Sequence, residues 1–188
     1  MTLTGAAEAV GIVPYDPIWR EWFRQERDHL RACLPAELLG RIEHFGSTAV
    51  PGLAAKPIID ILVELTSLDE ARDRVVPVLT SEGYAHFWSP NWGGDPTPRR
   101  YVWFIKRDAR GRRTHHIHFL EPGFTRCWDR LLFRDYLIAH PQVAAEYEAL
   151  KVALAQDHPR HRQAYTLGKR EFIERVTRQA RRFYGQQA

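Results

Sequence analysis

The sequence predicts an α+β domain built around one mixed sheet. The order of its periodic segments, α, β-β, α, β-β, α-α-α, is the main reason, because strands grouped in pairs and followed by a run of helices fold as α+β. The second reason is size: 188 residues, 44% hydrophobic and 27% charged, suit one compact core, so residues 1–188 are expected to form a single domain. The third is the last third of the chain, which reads as helix throughout.

Residues 1–13 read as a loosely held lead-in. "YDPIWREWFRQERDHLRACL" opens the first helix: Asp16 can cap it, Pro17 suits its first position, and Trp19, Trp22, Phe23, Leu30 and Cys33 recur near helical spacing. Pro35 ends this helix or begins a short second turn. "RIEHFGS" and "PIIDILVEL" are strands separated by a small-residue loop. "SLDEARDRVVPVL" is expected to be one helix, with Ser67 and Glu70 as a capping box. "YAHFWSPNWGGDPTPRR" is rich in Gly and Pro and reads as a loop. "YVWFIKR" and "RTHHIHFLE" alternate like a hairpin around residues 108–111. Three helical stretches close the chain: "TRCWDRLLFRDYLIAH", then "QVAAEYEALKVALAQD" after a break at Pro141, then "AYTLGKREFIERVTRQARRFY".

Composition narrows the function classes. No apolar run approaches the roughly 18–20 residues that span a bilayer, and residues 1–10 lack the basic start and apolar stretch of a signal peptide, so a cytoplasmic protein with no membrane partner is expected. Cys33 and Cys127 are far apart and sit in helical patterns, where they read as small buried hydrophobes. The net charge of +4 and pI near 9.3 come from three basic clusters, residues 99–113, 160–170 and 175–182. The first lies beside the chemistry described next and suits an anionic small substrate. A nucleic-acid role is less attractive, because no basic stripe with interleaved aromatics follows one element.

The sharpest signal is "HFGSTAVPGLAAKPIIDILVEL". Gly46 and Ser47, followed by Thr48, can start a tight turn whose backbone N–H groups and hydroxyls suit phosphate oxygens. Asp60 then stands alone on an apolar strand, where a carboxylate is costly unless it is paired or holds a metal. Mg²⁺ or Mn²⁺ with substrate phosphates completing its shell would account for it; an exposed edge position or an Arg salt bridge would also do so. His116 and His118 alternate to one strand face, where two imidazoles can share Zn²⁺, Ni²⁺ or Fe²⁺, or can be hydrogen-bonded strand histidines against Trp103. With Asp60 on the neighbouring strand they would form a 2-His-1-carboxylate set. Lys56, Arg99 and Arg100 could anchor an anion. Tyr165, four residues before Lys169, could stack on a base or pack in the core. Trp88 and Trp92, hinged by Gly93 and Gly94, could lid a site or anchor the core.

These stretches, with "VPYDPIWREWF", "THHIHFLEPG", "FRDYLIAHPQVAAEYEALK" and "AYTLGKREFI", resemble the GrpB (UPF0157) family over nearly the whole chain. The resemblance implies a polymerase-beta-like nucleotidyltransferase fold: a mixed sheet, flanking helices and a helical C-terminal segment. That superfamily carries a Gly-Ser pair, then about a dozen residues later Asp-x-Asp or Asp-x-Glu, and a third carboxylate on a later strand. Gly46, Ser47 and Asp60 match; the second acid falls on Leu62, a departure. Glu64 shares the face of Asp60 but sits about 13 Å away at strand rise. By the same resemblance Lys169 is the position expected to contact triphosphate. The implied function is binding of a nucleotide or another phosphorylated small molecule with a divalent metal, with metal-assisted nucleotidyl transfer as the chemistry. Two alternatives stay open: a non-catalytic binding or folding-assistance domain with a protein partner, and a metal-dependent hydrolase centred on His116 and His118.

Overall fold

The computed structural model describes residues 10–89 and 101–185. Five strands form one mixed sheet in the order β1-β2-β5-β4-β3: β1 Leu39–Phe45, β2 Ile59–Leu65, β3 Ala85–Ser89, β4 Tyr101–Arg107 and β5 Arg113–Leu120. Only β2 and β5 run parallel; the other neighbours are antiparallel. α1 Ile18–Cys33, α2 Leu68–Arg74 and α3 Val76–Ser81 precede β3, and α4 Thr125–Ala139, α5 Pro141–Asp157, α6 Arg162–Gly168 and α7 Arg170–Phe183 follow β5.

β2 sorts the molecule into two halves. Its residues Ile59, Ile61, Val63 and Leu65 face a core that also holds Trp19 and Leu30 of α1, Ala71 of α2, Leu79 of α3 and Ile117 and Phe119 of β5. Its alternate residues face the opposite side, where Leu62 packs with Phe45, Tyr101, Leu120 and Phe124, and Trp128 and Leu131 of α4 close over them. Phe133 and Leu137 of α4, Tyr147 of α5 and Val176 of α7 build a helix–helix core that also takes in Val50 and Leu53 of the β1–β2 loop. That second side carries the cavity described below.

Most of the expected elements are present, with differences where caps, breaks and edges are concerned. Asp16 caps α1 from one residue outside, its Oδ1 accepting the Ile18 N–H at 3.0 Å while Pro17 opens the helix. Pro35 both ends α1 and leads into a short 3-10 turn, Ala36–Leu38. The single helix expected after Ser67 is two, because Pro77 has no N–H to give and crowds the turn before it, so the chain breaks at Val75. The Ser67 hydroxyl does accept the Glu70 N–H, at 3.3 Å, but the Glu70 carboxylate turns to Arg74 instead of closing a box. The expected loop after Tyr84 begins as edge strand β3, which pairs His86 with Phe104 and Phe87 with Trp103; aromatic cross-strand pairs outweigh the downstream Gly and Pro. The final helix is also two. Gly168 lies so close to Leu154 that a Cβ would come within 2.5 Å of its Cδ2, and the chain turns at Lys169.

The lead-in is pinned where it is described: Val13 bridges Ala55, and the Val10 N–H donates to Pro159 O. Cys33 is half-buried rather than buried. Trp92, Gly93, Gly94, Arg99 and Arg100 lie outside the described residues, as does the side chain of Cys127. Among the described residues, no helix is long and apolar enough to cross a membrane.

Candidate functional site

The site starts where β1 ends. Gly46 has φ 74 and ψ −175, a conformation that side chains disfavour. A Cβ there would also lie 2.5 Å from Asp60 Oδ2. Glycine is therefore required twice, for the turn and for the approach of β2. Ser47–Ala49 form one 3-10 turn, and the chain loops back to β2. Two clamps fix this loop. The Thr48 hydroxyl donates to Ile58 O at 3.3 Å and bonds His44 Nε2 at 3.0 Å. From α5, Glu148 accepts the Ala54 N–H at 2.7 Å, and the buried Lys151 ammonium donates to Ala54 O.

Asp60 stands beside Phe45 of β1 and His116 of β5 in register. His116 Nδ1 lies 3.2 Å from Asp60 Oδ1. Burial works against ionising Asp60, but the His116 hydrogen bond and the surrounding positive groups outweigh it and hold the carboxyl at about 2. Burial pulls His116 below the ordinary imidazole range even though Asp60 pulls the other way. The imidazole is thus neutral at pH 7. Since an ionised carboxylate can only accept, the shared proton is assigned to Nδ1, which leaves a lone pair on Nε2. Nε2 is buried with no hydrogen-bond partner among the described residues. His118, two residues on, is pulled down further by burial and stacks on Trp103 with ring centroids 5.9 Å apart.

These groups line one cavity of about 330 Å³ between the sheet and the C-terminal helices. Eight of the residues the sequence singled out line it: Gly46, Ser47, Thr48, Lys56, Asp60, His116, His118 and Lys169. Lys56 and Lys169 flank one ring, their Nζ atoms 4.7 and 4.5 Å from the centroid of Tyr165. Burial, with neighbouring cations, pulls Lys56 to about 7 and Lys169 to about 8. Among the described residues, Arg113, Arg130 and Arg162 complete a lining of five cations with Asp60 as its one carboxylate.

Some expectations are redirected. The Thr48 hydroxyl is engaged in tying the loop to β1 and Ile58. Leu62 is fully buried in an apolar cluster, and Glu64 pairs with Arg41 at 2.9 Å outside the cavity, so neither restores the second acid. Trp88 does not line the cavity; it packs against the opposite core under the Arg72 guanidinium. Tyr165 is buried and faces the cavity at once. Asp60, His116 and His118 share a face, yet among the described residues the one trio of His, Cys, Asp or Glu with ligand atoms all within 4.8 Å is elsewhere, at His29, Cys33 and Glu82. Among the described residues Asp60 is the one carboxylate on the cavity, so the lining does not supply the set of three acids that the family resemblance implies. Arg130 and Tyr147 were not foreseeable as lining residues, since both lie on helices whose spacing reads as ordinary amphipathic packing.

The sheet order, the Gly46-Ser47 turn and Asp60 on β2 define a nucleotidyltransferase-like fold. The crystal structure of the Cid1 poly(U) polymerase bound to MgATP shares that fold, with TM-score 0.50 and 15% identity over 77% of this chain and 43% of that one. The chain belongs to the GrpB family, whose model, described as "GrpB protein", matches residues 9–179. It is 42% identical over 171 residues to a UPF0157 protein of Pseudomonas aeruginosa, covering 90% of this chain and 66% of that protein. It is 38% identical over 174 residues to UPF0157 protein YqkA of Bacillus subtilis, covering 93% of this chain and 48% of the relative. The chain thus spans about half to two thirds of the length of these relatives. The crystal structure of conserved protein GrpB from Enterococcus faecalis superposes with TM-score 0.78 at 33% identity, over 94% of this chain and all of that one.

Proposed function

We propose that the protein binds a nucleotide or another phosphorylated small molecule in the cavity between Gly46-Ser47, Asp60, the His116/His118 strand and Lys169. The observation that carries this reading is the charge lining: five cations against one carboxylate, in a volume suited to a small ligand. Ser47 and the arginines face phosphate oxygens, and Lys56 and Lys169, both beside the Tyr165 ring, meet the far phosphates. A single divalent ion on Asp60, when bound, would offset phosphate charge.

The chemistry this arrangement supports is nucleotidyl transfer. Neutral His116, held by Asp60 through Nδ1, presents its Nε2 lone pair as a general base toward an acceptor hydroxyl. The hydroxyl oxygen attacks phosphorus, its proton passes to Nε2, and pyrophosphate departs among the cations. A second reading, binding without turnover, is favoured by one observation: Leu62, where the superfamily keeps an acid, is packed into the core. The hydrolase reading has less support, because the two histidines and Asp60 do not close into one ligand cluster.

The test is calorimetric titration with ATP and CTP, with and without Mg²⁺, on wild type and on the Lys56→Met/Lys169→Met double variant. Binding to wild type, weakened about 100-fold in the variant, is expected. Equal affinity in both would sink the reading. Pyrophosphate release that His116→Ala abolishes while binding persists separates transfer from binding alone.

A further inference from the structure

We propose that His29, Cys33 and Glu82 form a separate site for one thiophilic divalent cation of the Zn²⁺ class, on the helical layer across the sheet from the cavity. None of the three lines that cavity, so the inference stands apart from the ligand reading. His29 and Cys33 are four residues apart on α1 and share a face. Glu82, the residue that ends α3, is delivered from another element, where Gly83 at φ 86 turns the chain toward β3. Imidazole nitrogen, thiol sulfur and carboxylate oxygen all fall within 4.8 Å of one another.

The spacing suits a shared ion. Zn–N near 2.0 Å and Zn–S near 2.3 Å in a tetrahedron set an N···S edge of about 3.6 Å and an N···O edge of about 3.3 Å. His29 Nε2 lies 3.9 Å from Cys33 Sγ and 2.7 Å from Glu82 Oε2. Changes of about 0.3 and 0.6 Å bring these two edges to ligating values, and the third, from Cys33 Sγ to the Glu82 carboxylate, lies within 4.8 Å. The side chains have room for them: His29 is 37% exposed and Glu82 34%. That exposure also leaves the fourth position to water, as in sites with three protein ligands.

The surroundings are ordered for it. The Tyr84 ring stacks on His29 at 6.3 Å with a 7° tilt and fixes the imidazole plane. Behind it, the Tyr84 hydroxyl donates to Glu26 at 2.6 Å, and Glu26 also takes Lys106, so these charges are spent on each other and do not compete. On binding, the His29 proton rests on Nδ1, Nε2 gives its lone pair, and Glu82 exchanges its hydrogen bond to His29 for the ion. Burial and the Glu82 charge push the Cys33 thiol up, so the thiol enters protonated and releases one proton to solvent per cation. No electron moves.

The test is titration of the chelator-treated full chain with Co²⁺. A near-ultraviolet thiolate-to-Co²⁺ band that saturates at one cation per chain and is bleached by Zn²⁺ is expected. Cys33→Ser should remove the band and weaken Co²⁺ at least about tenfold, and Glu82→Gln should weaken it by a similar factor. Asp60→Asn should change neither. A spectrum with no thiolate band, or a band that survives Cys33→Ser, overturns the site and leaves a His29–Glu82 pair beside a chance thiol. Should Cys33→Ser not fold, His29→Gln on the exposed face of α1 gives the same decision, since the band must shift and weaken if the imidazole ligates.

Discussion

Two acids lie on opposite sides of the sheet in opposite circumstances. Glu26, 2% exposed, accepts the Tyr84 hydroxyl on one oxygen and the Lys106 ammonium on the other. Its charge is matched inside the fold. Asp60 takes one hydrogen bond, from His116, and shares its cavity with five cations. The first arrangement is complete as it stands. In the second, two of the cations, Lys56 and Lys169, have no hydrogen-bonded or salt-bridged acid among the described residues. A balanced buried charge marks structure; an unbalanced group of charges around a cavity marks a place for a ligand of the opposite sign.

The contrast breaks most visibly in stability. Glu26→Ala strands the Lys106 ammonium and the buried Tyr84 hydroxyl, and should cost about 2–3 kcal/mol, the lower end for a buried pair because Lys106 is partly exposed. Nucleotide affinity should stay within about twofold, since none of these groups lines the cavity. Lys169→Met should do the reverse. The fold loses a half-buried cation whose charged form is disfavoured, so urea denaturation should show equal or higher stability while ligand affinity falls. If Lys169→Met is as destabilising as Glu26→Ala, the cavity cations are structural and the comparison fails.

Gly46→Ala sharpens the contrast from the Asp60 side. The added methyl meets Asp60 Oδ2 at 2.5 Å and must be carried at φ 74. About 2 kcal/mol of stability should be lost, from backbone strain and from the shift forced on β2. The specific consequence is separation of Asp60 from His116. Asp60 is what raises the His116 pKa against burial, so the imidazole should titrate lower still in the variant, as read by histidine NMR. A Gly46→Ala protein with wild-type melting and an unmoved His116 titration would show that the close approach is not binding the two strands together.

The fold was largely legible because its signals are local. Alternation in "RTHHIHFLE" and "PIIDILVEL" and helical spacing around Trp19 and Leu30 are set by neighbours in sequence, and the structure follows them. Misses came where a tertiary contact decides: Gly168 against Leu154 splits the last helix, and pairing with β4 makes a strand of residues 85–89. The same division holds at the site. Gly46, Ser47 and Asp60 announce themselves by spacing, and the HxH pattern locates His116 and His118 on one face. That Asp60 meets His116 depends on β2 and β5 being neighbours in parallel, which no spacing in the chain encodes. Arg130 reaches the cavity only because α4 crosses that face. The trio of His29, Cys33 and Glu82 was invisible for the same reason, since Glu82 is 49 residues beyond Cys33 in "SEGY".

The smallest effect is a pH dependence, and its sign follows from which groups titrate. Lys56 at about 7 and Lys169 at about 8 are charged below those values and lose charge as pH rises through them. A phosphate ligand stabilises the ammonium forms, so the bound protein holds more protons than the free one above pH 7, and affinity falls as pH rises. Asp60, at about 2, stays ionised throughout, and His116, already below its ordinary value, stays neutral. The second ionisation of phosphate has its midpoint near pH 6 and is mostly complete by pH 7, and the arginines do not titrate in this range. In the window between pH 7 and 9 Lys151, also pulled to about 7 by burial, titrates as well but lies outside the cavity, so comparison with the double variant isolates Lys56 and Lys169. Affinity for ATP should fall at least about tenfold across the window in wild type, and the Lys56→Met/Lys169→Met variant should show a flat, weak profile. A flat profile in wild type would mean that neither lysine meets the anion, and would move the ligand toward the arginines of the lining.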